Sequence, residues 1–157
     1  MQQKFPLSGR KKQRNYYSGK KKKHTVKSQL AVDQQSHKIL AVACEKGRCH
    51  DFKLLKNSKT YFHPNTQALL DSGYQGQQKR QKNTKLPHKK KKKQKLSKQQ
   101  KAENKALSQK RILAENIIRK LKIFRILKHD YRNRRKRFSL RVNLIAAIHN
   151  IEIQMSS

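Results

Sequence analysis

Two apolar stretches, HTVKSQLAV at residues 24–32 and KILAVAC at residues 38–44, decide the fold class. In the first, alternate residues from Val26 to Val32 share one face, a period of two that is typical of a β-strand. The second is apolar and β-branched, as buried strands are. With the polar turn at residues 33–37 between them, the two stretches predict a β-hairpin whose second strand is buried.

Shorter elements are predicted on the C-terminal side of this hairpin. A short helix forms around Phe52, with His50 or Asp51 as its cap, and short strands follow at residues 67–70 and 84–86. The first of these strands ends in an Asp followed closely by Gly, a position where α/β proteins place functional groups.

Two longer helices are predicted in the C-terminal half. The first begins at the capping-box pattern of Ser97 and Gln100 and runs without Gly or Pro to about Leu127. Its apolar stripe consists of Leu113, Ile117, Leu121 and Phe124. The second spans residues 138–153. It is predicted because Leu140, Leu144, Ile148 and Ile151 recur there at helical spacing.

The charge of the chain points to a polyanionic partner. The 157 residues include 42 Lys and Arg against 8 Asp and Glu, a net charge of +34. Such a chain repels itself unless a polyanion is nearby, and nucleic acid is the polyanion that needs so many cations. No apolar run is long enough to span a membrane, and the first residues do not have the pattern of a secretory signal. Two cysteines are too few for a disulfide framework, which favours a reducing cytosol.

Two acidic residues are candidate metal ligands. Asp71 follows a strand, and Glu115 lies mid-helix between Arg111 and Arg119. Taken singly, Asp71 is an ordinary strand-end turn residue and Glu115 an exposed glutamate paired one turn away. Taken together, two carboxylates from distant segments can hold Mg²⁺.

A zinc site is the other metal site to consider. Cys44, Cys49 and His50 lie close in sequence, but their spacing is not that of a known zinc knuckle. We therefore interpret them as a buried strand thiol and a loop thiol.

A series of short motifs resembles a known family. The segment YYSGKKKKHT at residues 16–25 is similar to YYSGKKKxHT of bacterial insertion-sequence DDE transposases of the IS-five type, which are related to Harbinger elements. The further matches, in the family's order, are GxxHD at 47–51, DxGYxG at 71–76, LPxKK at 86–90, the R-(3)-E-(6)-K spacing at Arg111, Glu115 and Lys122, YRNR at 131–134, and Asn150.

The resemblance implies a fold and a chemistry. The fold is an RNase H-like α/β core, with Asp71 as the second catalytic Asp and Glu115 as the catalytic Glu. Both would bind Mg²⁺ or Mn²⁺ in a two-metal site that cleaves DNA and transfers the strand. The implied DNA contacts are Tyr17, Lys20, Lys21, Lys22, Lys23, Arg111, Arg119 and Lys122. Tyr17 or its neighbour Tyr16 can alternatively pack under the hairpin.

The sequence departs from the family pattern at two points. Ser108 stands where the signature has Tyr, and the first catalytic Asp, expected on the first core strand ahead of residue 16, is not in this sequence. We therefore expect the C-terminal portion of a transposase. Residues 1–128 would form a partial core that lacks most of its first strand and contains a basic insert at 77–96, followed by a basic helical tail at 129–157.

Such a chain is expected to bind transposon ends and target DNA in the bacterial nucleoid but to cleave little by itself. Its protein partner would be a second copy or an N-terminal transposase half. The alternatives are a ribosomal-protein-like RNA-binding protein and a nucleoid-coating protein. Neither of them requires Asp71 and Glu115 to come together.

Overall fold

The fold is mixed α/β, as predicted, and the hairpin lies at its centre. The computed structural model describes residues 2–6, 16–19, 22–90, 95–128 and 137–156. The strands are β1 (Gln2–Pro6), β2 (Tyr17–Ser18), β3 (Lys23–Val32), β4 (Ile39–Lys46), β5 (Ala68–Leu69) and β6 (Thr84–Lys85). The helices are α1 (Asp51–Asn57), α2 (Lys98–Leu121), α3 (Arg125–Lys128) and α4 (Phe138–Met155).

The strands form two separate sheets. In the larger sheet, β3 pairs antiparallel with β4, β1 and β2, and the turn between β3 and β4 lies where the sequence predicted it. In the smaller sheet, β5 and β6 pair in parallel. The first strand was expected near residues 4–8. The structure has it at Gln2–Pro6, and residues 7 and 8 lie outside the described part of the chain.

Strand β3 is covered on both faces. Val26 and Leu30 belong to a core that also contains buried side chains of β4, α2, α3 and α4. The alternate residues Lys27 and Gln29 are buried too, and they contact Asp51 at the start of α1 and the Tyr74 hydroxyl. Because successive strand side chains point to opposite faces, α1 and the segment after β5 cover the face opposite α2 and α4.

The long helix ends earlier than the sequence predicted. The capping box of Ser97 and Gln100 is present, but α2 stops at Leu121, and the chain resumes as α3. Tighter bonds of the i→i+3 kind link the two, including that from the Phe124 N–H to the Leu121 carbonyl. The turn lets Leu127, only 2% exposed, enter the same core as α2. The YRNR motif at 131–134 lies outside the described residues.

The last helix forms where it was predicted, but its buried face is not the one made by the residues whose spacing predicted it. Leu140, Leu144 and Ile151 are 67%, 61% and 56% exposed. The buried residues are instead Phe138, Val142, Ile145, Ala146 and His149. Apolar side chains occur nearly all round α4, so the 3.6-residue period does not by itself select the face that meets the sheet.

Polar contacts fix the choice of face on α4. The Asn150 side-chain amide accepts from the Ile39 N–H at 2.8 Å and donates to the Ile39 carbonyl at 2.9 Å. A ring nitrogen of His149 lies 3.3 Å from the His37 carbonyl oxygen. Together these contacts hold the C-terminal half of α4 against the start of β4. Among the helices that the structure describes, none is long and apolar enough to cross a membrane.

Candidate functional site

Asp71 lies just after β5, where the chain leaves the small sheet. Its Oδ1 accepts from the Ser72 N–H at 2.6 Å and so caps a 3₁₀ turn at Ser72–Tyr74. This is the turn role that a strand-end aspartate ordinarily has. Half of the side chain is nevertheless exposed, at 50%, so the carboxylate remains accessible to a ligand.

Arg111 joins Asp71 to helix α2. Its Nη1 lies 3.3 Å from Oδ1, and its Nη2 lies 3.3 Å from Oδ2. This two-pronged arrangement matches the guanidinium fork to the carboxylate plane. Forty residues separate the two side chains in sequence, so the ion pair links the end of β5 to the middle of α2.

Glu115 is exposed on α2, one helical turn after Arg111. The simple alternative, an ion pair with Arg111 or Arg119 one turn away, is not found in the described part of the chain, and the Arg111 guanidinium binds Asp71 instead. Among the hydrogen bonds and ion pairs of the described residues, none involves Glu115. The helix turn that carries Glu115 therefore begins at Arg111, the residue that binds Asp71.

The signature lysine and one further arginine lie further along the same helix. Arg119 is exposed, and Lys122 caps the C-terminus of α2. At 100° per residue, Arg111, Glu115 and Lys122 lie within about 40° of one another around the helix axis. The spacing that identified them in sequence thus places a carboxylate and two cations on one helix face.

The tip of a second hairpin, formed by β2 and β3, is a second exposed cationic site. We call it the hairpin tip. Tyr17 is 44% exposed, and its ring contacts His24 edge-to-face, with centroids 5.6 Å apart. Lys22 and Lys23 are exposed beside it, whereas the predicted contacts Lys20 and Lys21 lie outside the described residues. The neighbouring Tyr16 packs against the main core, which is the alternative role considered for one of the two tyrosines.

A buried ion pair that the sequence did not predict supports the Asp71 turn. The Lys27 side chain, 4% exposed, contacts Asp51 and the Cys49 carbonyl oxygen. Asp51 in turn packs on Gly73, where an added Cβ would lie 2.3 Å from Asp51 Oδ2. Lys27 falls on the face of β3 opposite Val26 and Leu30, so the strand pattern alone predicts an exposed side chain.

Another close approach joins two of the sequence motifs. The Gly47 N–H donates to the Thr25 carbonyl at 2.8 Å, and a Cβ on Gly47 would lie 2.4 Å from that oxygen. This glycine is therefore required by backbone packing. The GxxHD segment binds the YYSG hairpin through Gly47 and the DxGYxG turn through Asp51.

The cysteines have local partners. Cys44 Sγ lies 3.1 Å from the Ser28 hydroxyl, and burial raises the pKa of the Cys44 thiol. Burial also raises the pKa of Cys49, and the nearby Glu45 carboxylate adds to the effect. Within the described ranges, no three His, Cys, Asp or Glu side chains are grouped so as to hold a metal ion.

Comparison with known proteins identifies the family. The model of the DDE superfamily endonuclease family matches residues 4–150. The chain belongs to this family. It is also 44% identical, over 148 residues, to a probable transposase for insertion sequence element IS702 from Microchaete diplosiphon. That match covers 94% of the chain and 54% of the relative, so the chain spans about half of the relative's length.

Membership of the family confirms the resemblance to bacterial insertion-sequence transposases. It does not favour the alternative of a ribosomal-protein-like RNA-binding protein. No solved structure matches the chain significantly. The coarse α/β class therefore rests on the elements described above.

Proposed function

We propose that this chain is the C-terminal part of an RNase H-like transposase core and that it binds DNA and supplies two metal-binding carboxylates, Asp71 and Glu115. The observation that carries the proposal is the ion pair of Arg111 with Asp71. It supports a position for the β5 end next to the turn of α2 that carries Glu115.

The donor set fits a magnesium ion. Mg²⁺ is usually held by one or two carboxylates, together with water and substrate phosphates. A carboxylate has about four lone-pair positions, and three at Asp71 are used by Ser72 and Arg111. One position on Oδ2 therefore remains for a cation, and the Glu115 side chain is exposed. When bound, the metal would neutralise phosphate charge and activate an attacking oxygen.

The protein side chains have separate tasks in this proposal. Arg111 orients the Asp71 carboxylate and lowers the negative charge of the site before DNA arrives. Lys122 and Arg119 would contact phosphates on either side of the reacting one. The hairpin tip of Tyr17, Lys22 and Lys23 would bind the backbone further away, with the exposed ring available for stacking on a base.

The metal-binding proposal is tested by Mn²⁺ titration of the full chain. Paramagnetic broadening of NMR signals should concentrate around Asp71 and Glu115 and should be lost in Asp71→Asn with Glu115→Gln. The matched control is Glu103→Gln, which removes an exposed carboxylate from the same helix, one that pairs with His88. Diffuse broadening, or broadening that survives in the double variant, contradicts the proposal.

The expected lack of cleavage by this chain alone needs its own test. Nicking of a supercoiled plasmid in Mg²⁺ or Mn²⁺ should be little or none. An Asp-containing N-terminal extension should restore metal-dependent nicking. An extended chain that stays inert, while Mn²⁺ still broadens both carboxylates, would refute the missing-residue explanation.

DNA binding is tested through the hairpin tip. Lys22→Ala with Lys23→Ala should weaken binding to duplex DNA and reduce the slope of affinity against salt. Lys53→Ala with Lys59→Ala removes the same charge from exposed positions in and just after α1. If both pairs weaken binding equally, only total charge matters, and the hairpin tip is not a DNA contact.

A further inference from the structure

Helix α2 extends well beyond the part of it that packs in the core. Its buried residues are Ile117, Ile118 and Leu121, all near its C-terminal end. At 1.5 Å per residue, the stretch from Lys98 to Asn116 is about 27 Å long, and none of its residues is buried. Burial in the core therefore does not account for most of the length of this helix.

The segment after β6 braces this stretch from one side. The His88 N–H donates to Asn104 Oδ1 at 2.8 Å, and the Asn104 side-chain amide donates to the His88 carbonyl at 3.1 Å. The His88 ring lies 2.6 Å from the Glu103 carboxylate. Glu103 and Asn104 are thus turned towards this segment, and the opposite side of the helix is left open.

The open side carries a continuous row of exposed residues, which we call the outer stripe. At 100° per residue, they lie within about 80° of one another around the helix axis, opposite the buried residues of the same helix. Both acidic residues of α2, Glu103 and Glu115, fall outside this sector. The outer stripe consists of Lys98, Lys101, Lys105, Gln109, Ile112 and Asn116.

The second half of the outer stripe has the chemistry of base recognition. Ile112 is 48% exposed, and it lies between the amide side chains of Gln109 and Asn116. Such amides pair with the N6 and N7 edge of adenine, and apolar side chains contact the methyl group of thymine. A row of lysines alone would be an ordinary solvated face. An apolar side chain between two amides instead fits the edges of A·T base pairs.

The spacing along the helix fits the major groove of B-form DNA. That groove is about 12 Å wide and admits an α-helix. Gln109 and Asn116 are about 10.5 Å apart along the axis, which spans about three base pairs at 3.4 Å each. The lysines lie further along, where a straight helix leaves the curving groove and meets phosphates. Duplex RNA is a poor alternative because its major groove is too narrow for side chains to read.

We propose that the outer stripe lies in the major groove of duplex DNA and reads A·T base pairs. Gln109 and Asn116 each contact an adenine, and Ile112 contacts a thymine methyl group between them. The three lysines bind phosphates and hold the helix in register. The proposal rests on the DNA binding proposed above, and it adds a base preference to that binding.

The test uses the full chain and a pool of DNA duplexes with a randomised central segment. Rounds of selection should enrich A·T pairs at two positions about three base pairs apart. Gln109→Ala should remove the preference at one position and Asn116→Ala at the other, each by about tenfold, as for a bidentate amide contact. Gln99→Ala is the matched control, because it removes an exposed amide from another side of the same helix.

A change of preference separates base reading from charge. Asn116→Arg should convert the adenine preference at one position into a guanine preference, since arginine pairs with guanine O6 and N7. Gln99→Arg adds the same charge on another side of the helix and should change no base preference. The same effect of the two arginine variants overturns the proposal.

Two other results also overturn the proposal. One is a selection that enriches no A·T pairs, and the other is an enrichment that survives both alanine variants. A chain that binds duplex DNA without base preference refutes base reading alone and leaves the proposed DNA binding standing. A chain that binds no duplex DNA refutes both.

Discussion

At the residue scale, the most consequential contact is the one between Lys27 and Asp51. The ammonium is buried at 4% exposure, and the carboxylate, 33% exposed, also supports Gly73. A charge in such a place is tolerated only when it is paired and hydrogen-bonded. The pair thus ties β3 to the start of α1 and to the turn that begins at Asp71.

Removing the cation from this pair should destabilise the fold. We expect Lys27→Met to lower the free energy of unfolding by about 3 kcal/mol, the lower end for a broken buried pair, because a third of Asp51 stays exposed. Urea unfolding followed by circular dichroism measures this. Lys23→Met, at an exposed position of the same strand, should change the free energy by less than about 0.5 kcal/mol. Equal effects of the two variants would show that Lys27 acts only through total charge.

Gly73 gives a second residue-scale prediction. A methyl group there would overlap Asp51 Oδ2, so Gly73→Ala should cost about 1–3 kcal/mol, as overpacking usually does. Gly19→Ala is the matched control because nothing lies within 4 Å of its added Cβ. Thermal melts of the two variants provide the comparison. A Gly73→Ala protein as stable as Gly19→Ala would mean that Asp51 moves aside without cost.

Single residues were predictable from sequence to different degrees. Asp71 and Arg111 were identified as candidate site residues from the spacing of two separate motifs. Their ion pair brings those two segments together. Lys27 was not identified, because a lysine within a strand is ordinarily solvent-facing. Its burial depends on α1 returning to cover that face of the sheet, a tertiary event that the local pattern of β3 does not contain.

At the element scale, strand and helix positions were largely predictable, while faces and ends were not. The hairpin, the capping box and the short strands β5 and β6 match the patterns that predicted them. The spacing of apolar residues does not reveal which face of α4 is buried. Asn150 and His149 fix that face through hydrogen bonds to the backbone of Ile39 and His37. Polar residues thus decide the orientation of an otherwise apolar helix.

Asn150 should therefore contribute measurably to the stability of the fold. Asn150→Ala removes two hydrogen bonds to the start of β4, and we expect a loss of about 1–3 kcal/mol together with faster amide exchange at Ile39. Asn143→Ala, at an exposed position of the same helix, is the matched control. If Ile39 exchanges at the same rate in both variants, the start of β4 is held by packing alone.

At the scale of the whole molecule, charge is the feature that calls for a partner. The net charge of +34 repels itself. The charge was evident from composition. The pairing of β1 with β3 was not, because no local pattern specifies its register.

Salt should therefore affect the free chain and the DNA-bound chain in opposite directions. For the free chain, the Debye length falls from about 10 Å at 0.1 M to about 3 Å at 1 M, so added NaCl should raise the melting temperature by screening repulsion. With duplex DNA present, binding stabilises the chain at low salt by mass action, and this gain should disappear as counterions compete for the phosphates. The two melting curves should converge at high salt. Sucrose at equal osmolality controls for general solute effects and should not make them converge. Parallel salt dependence with and without DNA would mean that the cations do not contact phosphate, and that self-repulsion is relieved in some other way.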